Sequence, residues 1–190
     1  MASGKVFYPA RQILPNLWIG SEGDSGNPRF MTDHDIHLVV NCSRNIPSPF
    51  ASSIQYVHVP VDDSPDENHN LLERLPAAVV AIDDALSHGL GVLVHCHAGM
   101  QRSASVVAGY LMWKQGLGAD NAMRTIKTIK TETFEPRPTF TRALRDWQTM
   151  LDGGNGRVPP GGAPRAGSLT SVTGVSSSRW QRRQRSANFL

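Results

Sequence analysis

Apolar positions fall into two kinds of pattern along the chain as far as Leu151. Leu38-Val39-Val40, leading into Asn41 and Cys42, forms a near-continuous apolar run, as a strand buried on both faces does. Ile54 to Val61 and Val92-Leu93-Val94 read as two further strands. Leu71, Leu75, Val79, Ile82 and Leu86 recur at helical spacing, with Gly89 as the stop. Pro76 falls inside that stripe and predicts that the helix starts or kinks there. Ala104, Val106, Val107, Tyr110, Leu111 and Met112 predict a helix from Ser103 onward, and serine is a favoured N-cap. Asp120 predicts a capped helix through Lys130. Phe140, Leu144, Trp147 and Leu151 stripe a last helix that stops at Gly153-Gly154. Strand and helix signals in alternation predict an α/β fold.

The pattern breaks at residue 152, and composition breaks with it. Asp152 to Leu190 is rich in Gly, Ser, Pro and Arg, with almost no apolar periodicity. Such a segment buries too little surface to offset its ordering entropy and is expected to be disordered. The expected organisation is one domain over residues 1–151 followed by a basic tail, 152–190. Charge divides in the same place: 13 Lys+Arg against 15 Asp+Glu up to Leu151, six Arg against one Asp after it. The cluster Arg179-Trp180-Gln181-Arg182-Arg183-Gln184-Arg185 suits a polyanion, such as RNA or an acidic protein surface, and equally a solvated, solubilising tail. No apolar run is long enough for a membrane span, and the first residues lack the apolar stretch of a signal peptide. Two cysteines do not make a secreted disulfide framework. A reducing intracellular setting, cytoplasm or nucleus, is expected.

The candidate chemistry lies between the strand at Val92–Val94 and the helix from Ser103. His95-Cys96-His97-Ala98-Gly99-Met100-Gln101-Arg102-Ser103 puts a cysteine, five residues and an arginine on a loop that runs into a helix N-terminus. Unpaired N–H groups and the helix dipole favour a phosphate there. Arg102 can add two parallel charge-assisted hydrogen bonds. Gly99 frees the backbone to turn tightly around the anion. The same field favours the thiolate of Cys96, so that residue is expected to be a nucleophile. His97, Ala98, Gly99, Met100, Gln101 and Arg102 are the expected phosphate-binding positions. A leaving alkoxide or phenoxide needs a proton, which calls for a carboxylic acid facing the loop. Asp62 and Asp63 follow the strand ending near Val61 and precede Ser64-Pro65, a loop signal. Seven histidines are scattered without ligand spacing except His95 and His97, so neither a metal nor another cofactor is expected.

His-Cys-x5-Arg-Ser resembles the signature of the cysteine-dependent protein tyrosine phosphatases. Ala98-Gly99 and Arg102-Ser103-Ala104 make the chain most similar to the dual-specificity phosphatases among them. The resemblance runs from about Ile13 to Leu151 and takes in Leu17-Trp18-Ile19-Gly20, Val39-Val40-Asn41-Cys42, Val59-Pro60-Val61-Asp62-Asp63 and Tyr110-Leu111-Met112. It implies a central, mainly parallel sheet flanked by helices. It also implies hydrolysis of phosphotyrosine and phosphoserine or phosphothreonine in proteins through a phosphocysteine intermediate. It assigns the general acid to Asp63, stabilisation of the leaving sulfur to Ser103, and bracing of the loop through imidazole hydrogen bonds to His95. Cys42, at a strand end, matches a cysteine that pairs with the nucleophile in the regenerating-liver phosphatases, and is a candidate redox partner. One departure stands out: relatives often carry Pro-Asn before the last helix, where this chain has Arg137-Pro138. Two other activities fit the same loop, a phosphoprotein-binding pseudo-enzyme and an RNA 5′-phosphatase.

Overall fold

The computed structural model describes residues 8–154. The tail expected at 152–190, with its arginine cluster, lies outside the described residues from 155 onward. In chain order the elements are β1 (Arg11–Leu14), β2 (Leu17–Gly20), α1 (Glu22–Ser25), α2 (Pro28–Asp33), β3 (Ile36–Asn41) and β4 (Gln55–His58). One 3-10 turn (Pro65–Glu67) then leads into α3 (Asn68–Ser87), β5 (Gly91–His95), α4 (Arg102–Gln115), α5 (Ala119–Ile129) and α6 (Thr141–Gly153). The sheet order is β1-β2-β5-β3-β4. Only β1 and β2 pair antiparallel; the other neighbours are parallel. This is the α/β architecture, with a mainly parallel sheet, that the alternation and the resemblance imply.

β5 sits in the middle and is buried along its whole length. Its side chains alternate between two cores, as the period of a strand requires. Val92 and Val94 join Leu38 and Val40 in the larger core under α3 to α6. Leu93 and Val39 join the smaller one with Met31 of α2 and Ile54. Leu71, Leu75 and Ile82 of α3 and Leu144 of α6 are completely buried, each a contribution of about 1.5–3 kcal/mol. Trp147 lies in the same core and donates its Nε1–H to Gly109 O at 3.1 Å.

Several local expectations need correction. α3 begins at Asn68, not at Pro76, and continues without interruption through that proline, which is buried within it. Packing of both flanking turns outweighs the one backbone bond that proline cannot make. The strand expected over Ile54 to Val61 is Gln55–His58 only; Pro60 has no N–H to extend a ladder. Asp120 does not cap α5. The cap position is Gly118, and Gln148 Oε1 accepts from Ala119 N at 3.0 Å. Ser103 is not an N-cap either, because α4 starts one residue earlier. α6 reaches Gly153, where the apolar stripe predicts its end. No helix among the described residues is long and apolar enough to cross a membrane.

Candidate active site

The loop from Cys96 to Gln101 leaves the carboxyl end of the central strand and enters α4, the position where open α/β sheets form ligand crevices. Its carbonyls are tied outward. His97 O accepts from Glu22 N at 3.0 Å, Met100 O from Phe134 N at 3.1 Å and Gln101 O from Ser105 N at 2.8 Å. Across a trans peptide the next N–H points the opposite way. The amides of Ala98, Gln101 and Arg102 therefore point opposite to these bonded carbonyls. Gly99 holds φ +73°, and a Cβ there would sit 2.7 Å from Gly20 O, so both the turn and the close approach require glycine.

Cys96 lies on the floor of this bowl, 2% exposed. Its Sγ is 3.3 Å from the Ser103 hydroxyl, so Ser103 is brought to the sulfur. Arg102 donates from Nη1 to Ser43 Oγ at 3.2 Å and Val61 O at 3.4 Å. Its Nε is buried with no protein acceptor. One branch of the guanidinium is thus anchored, and the Nε edge is left for a tetrahedral anion. Cys96, Ala98, Met100 and Arg102 line a cleft of about 420 Å³ together with Asp63 and the segment 135–139. Of the two adjacent aspartates, Asp63 borders this cleft. Asp62 is bonded instead to Arg44, Nε to Oδ2 at 3.1 Å.

The supporting residues differ in part from expectation. His95 is completely buried, and neither ring nitrogen has a partner at full hydrogen-bond geometry. Burial outweighs its interaction with the Cys96 backbone and pushes the imidazole down to about 4. His97 turns its ring to α1, with Nδ1 2.7 Å from Glu22 Oε2. Cys42 N donates to His95 O at 2.8 Å, which sets Cys42 beside Cys96 at the ends of paired strands and in the same core. Burial, and then the charge of Cys96, pushes the Cys42 thiol well up. Among the described residues no three His, Cys, Asp or Glu side chains are grouped to hold a metal ion.

The sequence reading named Gln101 only as a phosphate-binding position and did not name Arg44. Gln101, 6% exposed, donates from Nε2 to Glu135 O at 2.8 Å and Arg137 O at 3.1 Å. Its Oε1 accepts from Thr139 N at 3.1 Å. This amide ties the loop to the segment where relatives often carry Pro-Asn. Arg44 reaches Glu67 as well as Asp62, its Nη2 lying 2.8 and 3.0 Å from the two Glu67 oxygens. Asn70 and Arg44 hold the Glu67 carboxyl below the usual carboxylate range. Neither role carries a sequence signal beyond a large polar side chain in a short loop or turn.

Comparison with known proteins agrees with this geometry. The family described as "Dual specificity phosphatase, catalytic domain" matches residues 17–150. The chain belongs to the dual specificity phosphatase family. Human dual specificity protein phosphatase 9 is 37% identical over 142 residues, 74% of this chain but 36% of that protein. The chain thus spans about a third of the length of that relative. Human DUSP28, whose crystal structure is known, is 31% identical with a TM-score of 0.72, covering 79% of this chain and 99% of that one. A mouse protein described as a dual specificity phosphatase, solved with zinc tungstate, is 31% identical with a TM-score of 0.71, covering 82% and 96%.

Proposed function

We propose that residues 1–151 form a phosphoprotein phosphatase of dual specificity, a phosphoric monoester hydrolase working in a reducing intracellular compartment. The observation that carries this reading is one cleft lined by Cys96, Arg102 and Asp63 together. Arg102 and the loop amides hold the phosphoryl oxygens. The Cys96 sulfur attacks phosphorus in line, and the bond to the ester oxygen breaks. Asp63 protonates that departing oxygen. Water then attacks the phosphocysteine and gives a proton to Asp63, and phosphate leaves as the sulfur departs, stabilised by the Ser103 hydroxyl 3.3 Å away. The mouse relative solved with zinc tungstate fits this reading, since tungstate has phosphate's tetrahedral shape. Against an RNA 5′-phosphatase stand Ala98 and Arg102-Ser103-Ala104. Against a binding-only protein stands the presence of nucleophile, arginine and acid together.

Hydrolysis of an aryl phosphate and of phosphotyrosine and phosphothreonine peptides, in chelator, tests the reading. Cys96→Ser is expected to abolish turnover while still binding phosphate. Asp63→Asn is expected to slow peptide hydrolysis by roughly 10²–10⁴-fold, and much less on an aryl phosphate with an acidic leaving group. Substantial turnover by Cys96→Ser refutes the nucleophile. The leaving-group signature in Asp62→Asn rather than Asp63→Asn refutes the acid.

A further inference from the structure

The acid loop is tied to the carboxyl end of β3 at three points, all on one short turn or on the arginine that this turn supports. Arg44 Nε meets Asp62 at 3.1 Å, and its Nη2 meets both oxygens of Glu67. Val61 O and Ser43 Oγ share Nη1 of Arg102. The turn itself is anchored from below. Completely buried Asn41 donates from Nδ2 to Ile46 O at 2.9 Å and accepts from Ser43 N at 3.1 Å. Glu67 is steadied in turn by Asn70 Nδ2 at 2.8 Å. Ser43 therefore holds the phosphate-binding arginine while its neighbour Arg44 holds the residues on both sides of Asp63.

We infer that Arg44 is a positioning residue: its fork across Asp62 and Glu67 sets Asp63 at the height of the leaving oxygen above the Cys96 cradle. The inference rests on the acid role proposed for Asp63. A planar guanidinium spans two carboxylates at fixed separation, which an ammonium does not. Asp63 itself is exposed and has no anchoring bond of its own among the described residues, so its place is inherited from Asp62 and Glu67. Arg44 is not among the residues that line the cleft. Its effect is confined to the step in which the leaving oxygen takes a proton.

The test is kcat/KM across a series of aryl phosphates, from nitro-substituted to unsubstituted phenyl phosphate, for the wild-type chain, Arg44→Gln, Arg44→Lys, Asp63→Asn and the double variant Arg44→Gln/Asp63→Asn. Arg44→Gln is expected to lower kcat/KM on phenyl phosphate several-fold and to steepen the dependence on leaving-group acidity. Arg44→Lys should fall between it and the wild type. In the Asp63→Asn background Arg44→Gln should add nothing to the slope. A wild-type slope in Arg44→Gln, or an equal loss on every substrate, overturns the inference while Asp63→Asn still reports on the acid. A wild-type slope in Asp63→Asn overturns the acid assignment and the inference together.

Discussion

Gln101→Leu is the sharpest probe of how the cleft is held. The substitution keeps roughly the same volume in a site that is 6% exposed, but removes three hydrogen bonds from the amide to Glu135 O, Arg137 O and Thr139 N. Each bond contributes about 0.5–1.5 kcal/mol net. Glu135 and Arg137 are exposed, so their carbonyls can rehydrate, whereas Thr139 is only half exposed. The expected loss is therefore about 2–3 kcal/mol, or roughly 5–10 °C in melting temperature for a domain of this size. Gln101→Glu should be worse. Its carboxylate keeps an acceptor for Thr139 N but faces two carbonyls with no proton to offer. Because the segment 135–139 lines the cleft, its release should raise KM for phosphopeptides several-fold. The inhibition constant of vanadate, held by the cradle and Arg102, should change little. Urea unfolding and steady-state kinetics measure both effects. A wild-type urea midpoint in Gln101→Leu, or a Gln101→Glu variant more stable than Gln101→Leu, refutes the reasoning.

Two further outcomes follow from buried groups near the nucleophile. His95 is held neutral, at about 4, whereas in the unfolded chain it takes a proton near 6.5. The unfolded state thus binds more protons as pH falls through this window, and stability should drop by about 2 kcal/mol between about pH 7 and pH 5. His95→Gln should flatten that slope, and an unchanged urea midpoint across the window in the wild type counts against it. The second outcome concerns Cys42 as a redox partner. Peroxide oxidises the Cys96 sulfur to a sulfenic acid. The Cys42 thiol then attacks that sulfur and expels water, forming a disulfide between residues set on adjacent strands about 4.8 Å apart, within bridging range. Its raised thiol pKa makes this step slow at neutral pH and faster at higher pH. Mass spectrometry of the oxidised chain should find the Cys42–Cys96 peptide pair. Its absence, with Cys42→Ser recovering fully in thiol, rules the redox role out.

Much of the fold was legible because its strongest signals are local. The apolar runs at Leu38–Val40 and Val92–Val94 are strands buried on both faces, and the stripe from Phe140 to Leu151 is one face of α6. The shape of the loop was legible for a related reason: Cys96, the loop amides and Arg102 are contiguous, so a nine-residue motif contains the geometry. What was not legible depends on tertiary context. Propensity marks Pro76 as a break, but packing of the residues on either side carries α3 through it. Ser103 has the chemistry of a cap, yet Arg102 is already helical, which frees the hydroxyl for Cys96. The contacts of Gln101 cross 34 to 38 positions and those of Arg44 cross 18 to 23. No period or spacing encodes such partners.

This division between contiguous and distant parts orders the site by consequence. The cradle comes from one stretch of chain, with its carbonyls pinned by Glu22, Phe134 and Ser105. Damage there removes the charge stabilisation common to every substrate. Asp63, the proposed acid, comes from a second segment, joined to the cradle through Ser43, Arg44 and Val61. Damage there should fall on substrates in proportion to how badly their leaving group needs a proton. The outer segment 135–139 comes from a third, joined to the cradle loop through the Gln101 amide. Damage there should fall on peptides, which reach beyond the phosphoryl group, and spare small aryl phosphates. A variant's pattern across three probes (vanadate binding, the leaving-group slope and the ratio of peptide to aryl phosphate turnover) therefore identifies which of the three junctions it has broken. Two junctions that failed together under a single substitution would mean that the segments are coupled to each other directly, not only through the cradle.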